Sequence, residues 1–223
     1  MISMGYYVLV IVSTVLGLAT QAYIKSQYKK WSQVPASMGK TGAEVARDML
    51  DKNGAQACGI GTIQGTLTDN YNPTDNKLYL SQDNFQGGSV ASVAVACHEA
   101  GHAVQTAKGY LPGQLRTALV PAVNLTAQSW MIVFFAGVAL NTVGLVKLAV
   151  LLFAVSVIFQ LVTLPVEFDA SHRAVKYLSE TGVALDTRGA RKVLTAAALT
   201  YVAAALVSVL QLLYYASFAS DRR

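Results

Sequence analysis

Charged residues are scarce in this sequence. Asp, Glu, Lys and Arg make up 13% of its 223 residues, and 53% are hydrophobic. Since soluble domains carry about 25% charged residues, part of the surface is predicted to face lipid. The two cysteines, Cys58 and Cys97, do not form a disulfide framework. No cluster of basic residues interleaved with aromatic ones occurs, which argues against a nucleic-acid partner.

Four long apolar runs predict transmembrane helices. They cover residues 5–24, 119–141, 145–166 and 193–218. Twenty helical residues span roughly 30 Å, the thickness of the hydrocarbon core. A signal peptide is the alternative for the first run, but such signals carry positive charge before the apolar segment. Here Lys25, Lys29 and Lys30 follow it, which favours a retained anchor. The second and third runs predict a helical hairpin.

The distribution of basic residues predicts the orientation in the membrane. Residues 25–118 and 167–192 hold 14 of the 17 Lys and Arg residues, and the others are Lys147, Arg222 and Arg223. Cytoplasmic segments are enriched in Lys and Arg. The chain is therefore predicted to be a multi-pass protein of the plasma membrane, with both termini outside and 25–118 and 167–192 on the cytoplasmic side.

Residues 25–118 have the pattern of a small α+β domain. Thr41 and Glu44 form a predicted capping box at the start of a helix over 41–54. Alternation over 65–71 and 77–81, split by the turn-rich sequence NPTDN, predicts a β-hairpin. A second helix follows, with the sequence VAVACHEAGHAVQTAKGY over residues 93–110. Its Cys97 is predicted to be a small buried hydrophobe.

This second helix carries two of the three histidines of the chain. His98 and His102 are four residues apart, so both rings project from one helical face and are able to bind one tetrahedral Zn²⁺. Glu99 is rotated by about 100° and can reach a metal-held water as a general base. Gly101 allows close packing beside a metal. Two incidental histidines on a core helix are the alternative interpretation.

A third ligand is required, and two residues are candidates. One is His172, and the other is Glu167 in the sequence LPVEFDASHRAVKYL. Pro165 can start or kink a helix there, and a helix places Glu167 and Ser171 on one face. The alternative for Glu167 is a carboxylate solvated at the membrane interface.

The sequences AVACHEAGHAVQ (94–105) and LPVEFDASHRA (164–174) resemble those of the YugP-type family of membrane zinc metallopeptidases. That family is similar in plan to the HtpX-like and prenyl-protein membrane proteases, and the resemblance covers nearly the whole chain. It implies one Zn²⁺ bound by His98, His102 and Glu167, with Glu99 as the catalytic base. It also implies that Leu78, Tyr79 and Leu80 lie on an edge strand that pairs with an extended peptide.

One departure concerns the surroundings of the metal. The HtpX-like pattern has Asp four residues after the ligand Glu, where this chain has Ser171, and Asp169 is the candidate substitute. Residues expected to support the ligands or to stabilise the oxyanion are Asp169, Ser171, His172 and Arg173.

The expected activity is that of a membrane-embedded zinc endopeptidase, acting on membrane or membrane-proximal polypeptides. Zinc held by three protein ligands keeps a position for water and lowers the pKa of that water to ~7. Glu99 then takes the proton and returns it to the leaving amine. A membrane protein or a second copy of the chain is an open candidate partner, besides the polypeptide substrate and the lipid bilayer.

Two other functions are alternatives. One is an intramembrane protease of the site-2 type, but the apolar stretch VASVAVAC before His98 is too short to span a bilayer. The other is a non-catalytic zinc-containing membrane scaffold or partner-binding subunit. Structural zinc sites have four ligands and favour Cys, and neither Cys58 nor Cys97 has the required spacing.

The predicted fold class is a mainly α-helical membrane protein with four transmembrane helices and a small α+β zincin-like domain. Five segments are predicted: the anchor 1–24, the metallopeptidase domain 25–118, the transmembrane hairpin 119–166, a helix with the third ligand over 167–192, and the last transmembrane helix 193–223.

Overall fold

The computed structural model describes residues 4–36, 39–183 and 187–220. Arg222 and Arg223, which the topology prediction places outside, lie beyond the described residues. The elements in chain order are α1 (Met4–Ser32), α2 (Gly42–Lys52), β1 (Gly59–Ile63), β2 (Asn70–Asn72), β3 (Lys77–Ser81), α3 (Gln82–Gln86), α4 (Val90–Ala107), α5 (Leu111–Ala139), α6 (Val143–Thr181) and α7 (Thr187–Ser220).

The chain divides into two compact units. One, here called the span unit, comprises the chain up to Thr20, Leu115–Leu164 and the chain from Thr200 onwards. The other, the site unit, comprises Gln21–Gln114 and Pro165–Leu199. Every candidate site residue lies in the site unit.

Four helices of the described residues are long and apolar enough to cross a membrane, namely α1, α5, α6 and α7. They contain the four predicted runs except residues 140–141 at the end of the second run, so the prediction of four candidate membrane helices is confirmed. Within the span unit, α5 and α6 are joined by three residues, and Asn141 takes a left-handed conformation (φ 49°) there. The rings of Trp130, Phe153 and Tyr215 pack α5, α6 and α7 together, with centroids 4.7–5.8 Å apart.

In the site unit, α2 begins at the predicted capping box. Thr41 Oγ1 accepts a hydrogen bond from Glu44 N at 3.2 Å, and Glu44 Oε2 accepts one from Thr41 N at 2.8 Å. These bonds satisfy backbone donors that the first helical turn leaves free. The buried face of α2 packs against α4 and consists of Val45, Ala46, Met49 and Leu50.

The sheet of the site unit has the strand order β1-β3-β2. β2 and β3 form the predicted antiparallel hairpin, although its first strand covers only Asn70–Asn72. β1 pairs in parallel with the other side of β3. The expectation that Leu78, Tyr79 and Leu80 lie on an edge strand is therefore wrong, because β3 is the central strand. β1 was not foreseen, since Gly59 and Gly61 occupy two of its five positions.

Helix α4 is the buried centre of the site unit. Ser89 caps its start, where its Oγ accepts a hydrogen bond from Ser92 N at 3.0 Å. The helix packs against α2, α3, β2 and β3, and it is not among the four candidate membrane helices. Cys97 is fully buried in the apolar core, as predicted. Burial raises the pKa of its thiol, so this cysteine is unreactive.

Candidate metal centre

Two histidines of α4 and one glutamate of α6 meet in the site unit. Glu167 Oε2 lies 3.3 Å from His98 Nε2 and 3.7 Å from His102 Nε2, and the three candidate ligand atoms lie within 4.8 Å of one another. Ligand atoms at the Zn–N and Zn–O distances of a tetrahedral site are roughly 3.3–3.5 Å apart. The two separations from Glu167 Oε2 are close to these values, which fits a three-ligand zinc site.

A glycine lets the two ligand-bearing helices approach each other. A Cβ at Gly101 would lie only 2.8 Å from the carbonyl oxygen of Ala170 and 3.2 Å from its Cα. Gly101 lies between the two histidines on α4, and Ala170 lies one turn beyond Glu167 on α6. The absence of a side chain at position 101 therefore lets the helix with both histidines lie directly against the helix with Glu167.

We expect Gly101→Ala to weaken zinc binding by roughly 5- to 150-fold. The added methyl group would force α4 and α6 apart, and such overpacking costs about 1–3 kcal/mol. Zinc affinity is measured by competition with a chromophoric chelator. The matched control is Gly113→Ala, where the new Cβ meets Tyr110 Cδ1 at an ordinary 3.8 Å. Equal zinc affinity in the two variants would contradict the role of the close contact.

The carboxylate of Glu167 fits a metal ligand chemically. Its side chain is 2% exposed, and its Oε2 atom is buried without a hydrogen-bond partner. A buried carboxylate oxygen is costly unless a cation or a donor compensates it. Two imidazoles and one carboxylate are donors that Zn²⁺ accepts in catalytic sites. The residues present therefore fit a zinc ion.

Each histidine makes a hydrogen-bond contact through its other ring nitrogen. His98 Nδ1 lies 3.2 Å from Ser171 Oγ, and His102 Nδ1 lies 3.1 Å from Gln105 Oε1. Such contacts orient metal-binding imidazoles. Ser171 is therefore the residue next to His98, whereas Asp169, the candidate substitute, contacts Gln105 instead. Gln105 was missed by the sequence analysis, although its position three residues after His102 on a helix is a signal for contact.

Glu99 lies on α4 next to His98, and its side chain is buried. Its side chain is 8% exposed. Burial raises the pKa of the Glu99 carboxyl, and the charges of His98 and His102 oppose that rise. A carboxyl group whose pKa lies above its ordinary value is better matched to accepting and returning a proton near neutrality.

The other predicted residues lie around the cluster in different ways. Asp169 Oδ2 accepts hydrogen bonds from Gln105 Nε2 at 2.7 Å and from Arg173 Nε at 2.6 Å. The Arg173 guanidinium also lies over the ring of Tyr110, 5.9 Å from its centroid. His172 is exposed and lines a cleft between α6 and α7. Asp169 therefore contacts Gln105, which in turn contacts His102, and Arg173 contacts Asp169. His172 is not part of the ligand cluster.

Comparison with known proteins agrees with this chemistry. The family model described as “Putative neutral zinc metallopeptidase” matches residues 6–220. The “Putative membrane protease YugP” of Bacillus subtilis (strain 168) is 44% identical over 204 residues, which cover 90% of this chain and 91% of that protein. No solved structure matches the chain. As the resemblance predicted, the chain belongs to the family that is described as “Putative neutral zinc metallopeptidase”.

Proposed function

We propose that this protein is a membrane-embedded zinc-dependent endopeptidase that cleaves membrane or membrane-proximal polypeptides. The observation that carries this function is the cluster of His98, His102 and Glu167, in which a buried Glu167 oxygen without a hydrogen-bond partner faces two imidazoles. Glu99 lies next to this cluster on the same helix. Membership of a zinc peptidase family and the four candidate membrane helices support the same function.

Four residues of the chain carry the proposed chemistry. His98, His102 and Glu167 would hold one Zn²⁺, and three protein ligands leave a fourth position open. When bound, zinc acidifies water and polarises a peptide carbonyl. Glu99 accepts a proton from the attacking water and delivers it to the departing amine nitrogen.

A non-catalytic scaffold with structural zinc is the second candidate function. Such a site needs a fourth ligand and favours Cys. In the part of the chain that the structure describes, the metal-ligand cluster consists of three residues. Both cysteines are buried in the apolar core. An intramembrane protease is disfavoured because α4 packs within the site unit and is not one of the candidate spans.

Removal and return of zinc test the function. We expect the protein purified in detergent to contain one zinc per chain and to cleave an unfolded protein. Treatment with a strong chelator should abolish cleavage, and one equivalent of Zn²⁺ should restore it. Bound zinc without cleavage in any condition would favour the scaffold, and cleavage that survives complete zinc removal would exclude a zinc peptidase.

We further propose that residues 25–118 and 167–192 face the cytoplasm, with both termini outside the plasma membrane. The enrichment of Lys and Arg in these two segments supports this orientation. A single cysteine introduced by Lys40→Cys in a cysteine-free background should resist a membrane-impermeant thiol reagent in intact cells and react after lysis. Labelling in intact cells would reverse the proposed topology.

A further inference from the structure

The side-chain amide of Gln105 is buried and makes contacts with both of its polar atoms. Gln105 is 3% exposed. Nε2 donates to Val166 O at 2.8 Å and to Asp169 Oδ2 at 2.7 Å. Oε1 lies 3.1 Å from His102 Nδ1. The amide thus connects a ligand of α4 to the backbone and a carboxylate of α6.

The chemistry of these partners fixes the direction of the amide. A backbone carbonyl and a carboxylate only accept hydrogen bonds, so the two protons of Gln105 Nε2 must face Val166 and Asp169. A flipped amide would place its oxygen against two acceptors. Asp169 is in turn held by Arg173 Nε. The oxygen of Gln105 therefore has to face His102.

This direction also fixes the proton of His102. An amide oxygen cannot donate, so a hydrogen bond to it requires the proton of the imidazole on Nδ1. The lone pair of the neutral ring is then on Nε2. Glu167 Oε2, the acceptor that faces Nε2, lies 3.7 Å away, beyond hydrogen-bond distance, and does not hold a proton there. The tautomer of His98 is not fixed in this way, because its neighbour, the hydroxyl of Ser171, can either donate or accept a hydrogen bond.

We propose that Gln105 is a positioning residue that selects the Nδ1–H tautomer of His102, with its amide locked by Val166 O and by the Asp169–Arg173 pair. The tautomer presents Nε2 to the metal before the metal arrives. His98 has no such lock, so the two histidines are prepared differently for the same ion. The consequence for zinc affinity rests on the proposed function, whereas the tautomer itself does not.

The tautomer can be read directly by nuclear magnetic resonance. The chain has three histidines, His98, His102 and His172, so long-range ¹H–¹⁵N spectra of ¹⁵N-histidine protein can be assigned with single His→Gln variants. Spectra are recorded in detergent, in alkaline zinc-free buffer. We expect His102 to carry its proton on Nδ1. A wild-type spectrum with the proton on Nε2 overturns the inference without any variant at Gln105.

The variant Gln105→Met keeps the length of the side chain and removes the amide. We expect a mixture of His102 tautomers and a loss of zinc affinity of about 10–100-fold, the range for outer partners of metal ligands. Ser171→Ala is the matched control, and it should leave the tautomer of His102 unchanged. An unchanged tautomer and zinc affinity in Gln105→Met would overturn the inference. A wild-type protein that binds no zinc would instead refute the proposed function and leave the tautomer result standing.

Discussion

Replacement of Glu99 by Gln is expected to abolish peptide cleavage while zinc stays bound. The substitution keeps the shape of the side chain and removes its ability to take a proton. General base catalysis contributes about 10²–10⁴-fold to rates, so cleavage should fall by at least that factor. Glu99 is not one of the three clustered ligands, and for this reason the zinc content should stay at one per chain.

Two measurements on the same preparations decide this prediction: zinc content and cleavage of an unfolded protein. The matched control is Glu180→Gln. Glu180 is an exposed glutamate of the site unit, and its Oε1 lies 3.8 Å from Lys176 Nζ. This control should cleave at the wild-type rate. Undiminished cleavage by Glu99→Gln would remove Glu99 as the base. Loss of zinc from that variant would show instead that Glu99 supports the metal centre.

Replacement of Glu167 by Ala is expected to lower zinc affinity by more than about 100-fold, which exceeds the effect of an outer partner. Both Nε2 atoms of the histidine pair face its Oε2 atom, so the substitution leaves two ligands where three are needed. Cleavage should be lost together with the zinc. The measurement is zinc per chain after equilibration with a chelator of known affinity.

The control for Glu167 also tests the rival third ligand. His172 was the other candidate in the sequence, and it lies exposed in the cleft between α6 and α7. His172→Ala should therefore retain full zinc occupancy. Full occupancy in Glu167→Ala combined with loss in His172→Ala would exchange the two assignments.

The predictable parts of the molecule are those with a local signal. The apolar runs predicted the candidate membrane helices, because length and composition alone decide whether a helix can cross a bilayer. The capping box at Thr41 and Glu44 was predictable because its partners are three residues apart. The spacing of His98 and His102 placed both rings on one face for the same reason.

The unforeseen parts depend on contacts that are distant in sequence. The parallel pairing of β1 with β3 joins segments that are not neighbours along the chain. The glycines of β1 give no strand pattern in the sequence. That pairing moved Leu78, Tyr79 and Leu80 from an edge to the centre of the sheet. Gln105 could be placed near His102 from its spacing, but its partners Val166 and Asp169 are 61 and 64 residues away.

The contact between Gly101 and α6 limits which sequences can carry this centre. The atoms that would collide with a side chain at position 101 are the carbonyl oxygen and the Cα of Ala170, which every residue type possesses. No substitution at position 170 can therefore make room for a larger residue at position 101. Designed or evolved variants that keep this pair of helices at the same separation are confined to glycine at position 101, and compensation has to come from a shift of a whole helix.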